Sequence, residues 1–211
     1  MLQKTNVKIE VPIIDKVSLK KTKLKAKNEN IIFENDSIII KDIDYLFSSV
    51  IFNNYNLIDS ELINSYFIDV IFNNCDLSNI NFTKTAFKRV EFNGCKLIGT
   101  ILNDSMLENV VFNNCNLKYV NISDIKLKEV HFKESNLDEA SFFSVKINKV
   151  IFDKCSFVRT EFESTSLLGV DLSTSDISFI KININNLKGL IVNNYQAVEL
   201  SNLLGIIIKE D

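Results

Sequence analysis

Residues 50–77 read VIFNNYNLIDSELINSYFIDVIFNNCDL, and counting that stretch by fives decides the fold. Phe52, Leu57, Leu62, Phe67, Phe72 and Leu77 fall on every fifth position, and the series runs on without a break to Leu187. All 28 positions of the series are Phe, Leu or Ile, divided 12, 12 and 4. A helix repeats its apolar positions every 3.6 residues and a strand every two, so neither yields a sustained period of five. Two residues before each centre the side chain is mostly small or β-branched, as at Val50, Ser60, Ser65, Val70, Cys75, Thr85, Val90 and Cys95. A short fixed period of this kind marks a stacked architecture, in which each unit buries its apolar side chains only against its neighbours.

A period of twenty lies over the period of five. Val50, Val70, Val90, Val110, Val130, Val150 and Val170 form one column, and Phe52, Phe72, Phe92, Phe112, Phe132, Phe152 and Leu172 form another two residues on. Four five-residue sides close a twenty-residue turn, which predicts a square β-solenoid. Successive turns then lie about 4.8 Å apart, the separation of hydrogen-bonded strands. That spacing suits offset stacking of the Phe rings.

The alternation of a small residue, a variable one, then Leu or Phe resembles the pentapeptide-repeat family over residues 50–187. The resemblance implies an all-β, right-handed quadrilateral β-helix with the centres and the small residues pointing inward. The core columns are then Val70, Phe72, Val90, Phe92, Val110, Phe112, Phe132 and Phe152, with Cys75, Cys95, Cys115 and Cys155 at small inward positions. The chain divides into an N-terminal cap and irregular first turn (1–49), the β-helix (50–190) and a C-terminal helix and strand (191–211).

Composition agrees. The 211 residues are 46% hydrophobic and 24% charged, with five glycines and a single proline, Pro12, so no flexible linker divides them. No run of 18 apolar residues suggests a transmembrane helix, and charges interrupt the N-terminal stretch MLQKTNVKIEVPIIDK, which argues against a secretory signal. A cytoplasmic location is the expectation. Net charge is −3. Residues 1–50 hold 9 basic and 7 acidic side chains, and residues 51–190 hold 14 and 17. Without a basic stripe, direct nucleic-acid binding is not expected.

The four cysteines share one column, with Ser135 in the gap. A disulfide needs β-carbons about 3.8 Å apart, closer than parallel side chains on adjacent turns, and a straight thiol ladder is not the tetrahedron zinc requires. Cysteine is read here as a small hydrophobe in a tight site, with no metal or cofactor. Outside the core, Asn53, Asn73, Asn93 and Asn113 form an outward ladder able to bond turn to turn, and Asn54, Asn74 and Asn114 suit tight corners. Ile51, Ile71, Val111 and Ile151 make an outward apolar strip that Glu91 and His131 interrupt. Val7, Ile9 and Val11 alternate with charges and suggest an edge strand limited by Pro12. Lys16, Lys20, Lys21, Lys23, Lys25 and Lys27 follow, the pattern of an edge protected by charge. Phe33, in NIIFEND (30–36), repeats Phe52 at a distance of 19 and marks the irregular first turn.

After Leu187 the repeat decays. Asn193 or Asn194 can cap a helix, Gly205 can stop it, and Ala197, Leu200, Leu203 and Leu204 share a helical face ahead of a short apolar strand, Ile206–Ile208. Gly189, Tyr195, Gln196, Ala197, Leu200, Leu204, Gly205 and Ile206 resemble the C-terminus of the Qnr-type quinolone-resistance group of the family. That resemblance implies a homodimer joined C-terminus to C-terminus through Tyr195, Leu200, Leu203, Leu204, Ile206 and Ile208. It also implies a rod that mimics duplex DNA and engages DNA gyrase or topoisomerase IV, protecting them from quinolones or toxins. A structural solenoid with another protein partner is the alternative. A mimic should concentrate carboxylates: Asp76, Asp138 and Asp176 flank one side, Glu61, Glu161 and Glu163 another. No phosphate loop, HExxH or GxSxG motif occurs and His131 is the only histidine, so the reading is a non-enzyme with no membrane partner.

Overall fold

The computed structural model describes residues 7–14, the backbone of 19–20, and residues 24–209. The chain winds as a four-sided parallel β-solenoid, and the twenty-residue period is its turn. Seven eight-residue strands, Lys27–Glu34, Leu46–Asn53, Tyr66–Asn73, Ala86–Asn93, Met106–Asn113, Lys126–Lys133 and Lys146–Asp153, each run through two adjacent sides, here sides one and two. They pair in parallel with a register of twenty residues, as in Val70↔Val90 and Phe72↔Phe92. The first step alone is nineteen, Phe33↔Phe52, so the irregular first turn belongs to the same sheet. A two-residue strand, Leu19–Lys20, adds to its edge. Side three is narrower, held by single bridges from Asn56 through Asp76, Lys96, Asn116, Asn136 and Ser156 to Asp176. Side four carries Lys41–Ile43, Glu61–Ile63, Asn121–Ser123, Ser141–Phe143, Glu161–Glu163 and Lys181–Ile182, bridged through Asn81 and Ile101.

The square section comes from one backbone device repeated at the corners. Two residues after nearly every centre (Thr174 and Ile184 are the exceptions) the chain turns left-handed, as at Asn54 (φ 49°), Asp69 (57°), Lys84 (58°) and Tyr119 (61°), and the strand ladders skip that residue. A side chain in this region costs about 1 kcal/mol unless it is glycine, which accounts for the Asn, Asp and Gly at many corners. Where Lys84 or Tyr119 takes the position instead, its N–H still donates to the next turn, and the Phe179 N–H donates to Glu199 Oε1 of the C-terminal helix (2.9 Å). Corner N–H groups donate to the next turn, as Asn74 to Asn93 O at 2.8 Å and Lys84 to Asn103 O at 2.8 Å.

Inside, the centres stack. Phe33, Phe52, Phe72, Phe92, Phe112, Phe132 and Phe152 form one column of rings with centroids 4.8–5.1 Å apart and planes within 16°. Of the 28 centres only Ile147, Ile182 and Leu187, all toward the C-terminal end, are half-buried; the others are buried. Val70, Val90 and Val110 are fully enclosed beside them. The small inward position has a second task beyond packing. Its hydroxyl or thiol donates to a carbonyl of the preceding turn: Thr85 to Leu62 O (2.8 Å), Ser105 to Phe82 O (2.7 Å), Cys115 to Phe92 O (3.2 Å) and Ser135 to Phe112 O (3.2 Å). Small polar residues recur there because a buried carbonyl without a donor is costly.

Both ends depart from the sequence reading. Val7–Val11 forms no strand. Residues 7–14 run instead along the rod axis as an extended arm over the corner between sides one and two. The Glu10 N–H donates to Asn109 Oδ1 (3.0 Å), the Ile13 N–H to Asp69 Oδ1 (2.9 Å), and the Ser49 hydroxyl to Ile13 O (3.2 Å). Three extended residues cover about 10 Å, the height of two turns, so the arm steps from Asp69 to Asn109 in register with the coils. Lys16, Lys21, Lys23 and the Lys20 side chain lie outside the described residues. At the other end, residues 206–208 form no strand beyond Gly205, whose left-handed φ of 71° closes a 3-10 turn. Helix α1 (Asn194–Ser201) is capped by Asn193 in a reciprocal box with Gln196.

Candidate interaction surfaces

The outward side chains hold what chemistry the molecule offers, and the register sorts them by side. Across residues 50–183, side one with its following corner carries Lys88, Arg89, Lys126, Lys128, Lys146 and Lys149 against Asp69, Glu108 and Glu129. The other sides reverse that balance. Side two has Glu91, Glu134, Asp153 and Asp171 against Lys133 and Lys154. Side three has Asp59, Asp76, Asp138, Glu139 and Asp176 against Lys96, Lys118 and Arg159. Side four has Glu61, Asp104, Asp124, Glu161 and Glu163 against Lys84 and Lys181. Carboxylates thus outnumber cations two to one around three sides, a segregation that a net charge of −3 conceals.

Most ion pairs link one turn to the next: Lys41–Glu61 (3.1 Å), Arg89–Asp69 (2.6 Å), Lys128–Glu108 (2.5 Å) and Lys149–Glu129 (2.8 Å). Exposed pairs of this kind contribute little, up to about 1 kcal/mol each. The Arg89–Asp69 pair differs, since the arm covers it. Its side chains are 17% and 11% exposed and meet through two hydrogen bonds, Nε to Oδ1 and Nη2 to Oδ2. Burial alone would raise the Asp69 carboxyl, but the hydrogen bonds from Arg89 and the Ile13 N–H, with the arginine charge, hold it below the usual carboxylate range. Ser49, Asp69 and Asn109 are buried, whereas the corner residues Asn54, Asn74 and Asn114 are exposed.

On side two the asparagine ladder forms. Asn73 donates to Asn53 Oδ1 (2.9 Å), Asn93 to Asn73 (3.1 Å), Asn113 to Asn93 (3.5 Å), and Asn53 to Glu34 Oε1 (3.3 Å). Beside it Ile51, Ile71, Val111 and Ile151 are half-buried. His131, expected to be a surface residue, is half-buried between Val111 and Ile151 in register, and its Nε2 is buried without a hydrogen-bond partner. Burial pushes its pKa below the usual value.

Cys75, Cys95, Cys115 and Cys155 are free thiols, all at most 3% exposed. Contact with the Cys95 thiol, then burial, pushes Cys75 and Cys115 up, and burial pushes Cys155 up to about 11. At the open end of the rod Gln196, one of the residues that carry the C-terminal resemblance, has a capping role that the sequence does not show. Its amide donates to Leu172 O (2.9 Å) and Ser175 O (2.6 Å), so one buried side chain covers two carbonyls of the last coil. The apolar side chains of this cap face outward: Tyr195 is 89% exposed, Leu204 58% and Ile207 93%. Leu203, Ile206 and Ile208 are exposed as well, and Leu200 is half-buried. A groove of about 310 Å³ runs there between Ile184, Leu187, Ala197, Leu200 and Leu204. No helix among the described residues is long and apolar enough to cross a membrane.

Residues 65–142 match the family model described as the pentapeptide repeat region. No curated protein sequence matches the chain. Among solved structures, full-length QnrB1, a plasmid-mediated fluoroquinolone resistance protein, is similar at 22% identity over 85% of this chain and 90% of that one, with a TM-score of 0.48. HetL, a pentapeptide repeat protein involved in heterocyst differentiation regulation in the cyanobacterium Nostoc sp. strain PCC 7120, is 13% identical over 85% and 92%, TM-score 0.49. A pentapeptide repeat protein of the Arabidopsis thaliana thylakoid lumen is 17% identical over 63% and 71%, TM-score 0.33. At such identities the likeness is one of fold.

Proposed function

We propose, from a chain that carries a pentapeptide-repeat region, that the protein acts without catalysis, as a dimeric acidic rod that occupies the DNA-binding saddle of a type II topoisomerase and protects it from quinolones or toxins. The observation that carries this reading is the charge segregation: three contiguous sides together present about twice as many carboxylates as cations across residues 50–183. A rod of that kind meets a DNA-binding surface by charge complementarity, which steers encounter more than it sets affinity. The exposed apolar cap supports the second half of the reading. Leu204, Ile206 and Ile208 at a rod end, with the groove beside them, suit a second copy joined end to end. Two seven-turn rods then give about 70 Å of repeat, the length of roughly 20 base pairs.

The basic side one favours a second reading, a solenoid that serves another protein partner and leaves gyrase untouched. The test that separates them is DNA supercoiling by gyrase in the presence of ciprofloxacin, titrated with this protein at low salt. Restored supercoiling is the expected result. No effect at any concentration assigns the rod to the second reading.

A further inference from the structure

Charges paired across the strand ladders follow a rule and break it once. Within the paired ladders, charged residues in register on adjacent turns are of opposite sign, as at Lys41 and Glu61, Glu108 and Lys128, or Glu161 and Lys181. Lys126 and Lys146 on side one are the exception among the described residues. Like charges directly opposite are destabilising, both lysines are exposed, and neither has a carboxylate within ion-pair reach among the described residues. Lys88 on the same side is exposed and unpaired too, because its ladder neighbour Glu108 is bonded to Lys128. The column that ends in the two lysines passes Tyr66, 51% exposed, and Met106, 42% exposed. Side one therefore offers uncompensated positive charge beside exposed apolar surface.

The geometry points to a docking site on side one for an extended acidic segment of a partner protein, laid along the rod axis with its carboxylates on Lys88, Lys126 and Lys146. Two features of the molecule choose that occupant. The protein's own arm shows that an extended chain runs commensurately along this flank, three residues to two turns, fixed at Asp69 and Asn109. The positive charge is also local. A phosphate polymer would meet three free lysines here and a surplus of carboxylates on the sides around them, whereas nucleic-acid sites neutralise many phosphates. A short acidic peptide needs only the lysines and the Tyr66–Met106 surface.

The test is fluorescence anisotropy with a labelled ten-residue peptide of alternating Glu and Thr, at about 50 mM salt to limit screening. The wild-type protein binds it, and the triple variant Lys88→Glu, Lys126→Glu, Lys146→Glu binds about tenfold more weakly or not at all, the summed effect of three exposed ion pairs. The control Lys84→Glu, Lys154→Glu, on other sides, binds as wild type, and unchanged circular dichroism shows that each variant is folded. Absence of peptide binding, equal binding by the triple variant, or tighter binding of a single-stranded oligonucleotide or phosphatidylserine vesicles of equal charge overturns the proposal.

Discussion

Phe112 and His131 stand one turn apart along the chain and probe the two faces of the same sheet. Phe112, 1% exposed in the middle of the ring column, has no room to relax, so Phe112→Ala is expected to cost about 3–5 kcal/mol in denaturant unfolding. His131 is a different matter, because its buried Nε2 lacks a partner. Burial lowers its pKa in the folded state, so the unfolded chain binds the proton more readily. Stability from this residue is then present above the unfolded value of about 6.5 and is lost as pH falls toward the lower folded value. His131→Val, flanked by Val111 and Ile151, is expected to be neutral or stabilising at pH 7 and to flatten the wild-type loss of stability below pH 6.5. Melting temperature measured against pH checks this; a variant with the wild-type slope contradicts it. The inward centres were legible in the sequence because stacking admits only Phe, Leu or Ile there. The histidine's half-burial was not, since an outward strand position says nothing of how tightly Val111 and Ile151 close over it.

The elements at the two ends show where sequence patterns run out. Repeat period fixes the coils, but the arm is held by three hydrogen bonds to Ser49, Asp69 and Asn109, which read in the sequence like any other corner residues. An alternation of Val7, Ile9 and Val11 with charges looks like a strand whether its N–H groups meet a backbone or a side chain. The Asp69 carboxyl, depressed in the folded state, keeps its contribution above about pH 3.9 and loses it as pH falls through the folded value below. The arm is therefore expected to detach in acid, seen as collapse of the Glu10 and Ile13 amide shifts onto random-coil values. Arg89→Ala moves that transition to higher pH, and coincident transitions in the two proteins contradict the assignment. At the C-terminus the helix was readable from the pair Asn193–Asn194 and from Gly205, of which the structure makes Asn193 the cap, while the role of Gln196 was not, because its value lies in reaching Leu172 and Ser175 of another coil. Gln196→Ala exposes those two carbonyls and is expected to cost about 1–3 kcal/mol, with faster amide exchange in 194–201. Unchanged exchange rules out its capping role.

For the whole molecule, distribution of charge matters more than its sum. The sequence indicated carboxylates on two sides; only the register shows that three sides are acidic and that the cations gather on the fourth. The apolar cap adds length: with Leu204 58% exposed at the rod end, Leu204→Asp is expected to convert a dimer to monomers in light scattering, and a wild type already monomeric contradicts the end-to-end assembly. The central claim, that a carboxylate-rich rod stands in for DNA on a type II topoisomerase, is tested most directly by gyrase supercoiling with ciprofloxacin at low salt. The wild-type protein is compared with a folded variant in which Glu61, Asp104, Asp124, Glu161 and Glu163 are replaced by Gln or Asn. The account predicts that the wild type restores supercoiling, less so as salt rises, and that the neutralised rod does not. A wild type without effect, or a neutralised rod that protects equally well, contradicts it.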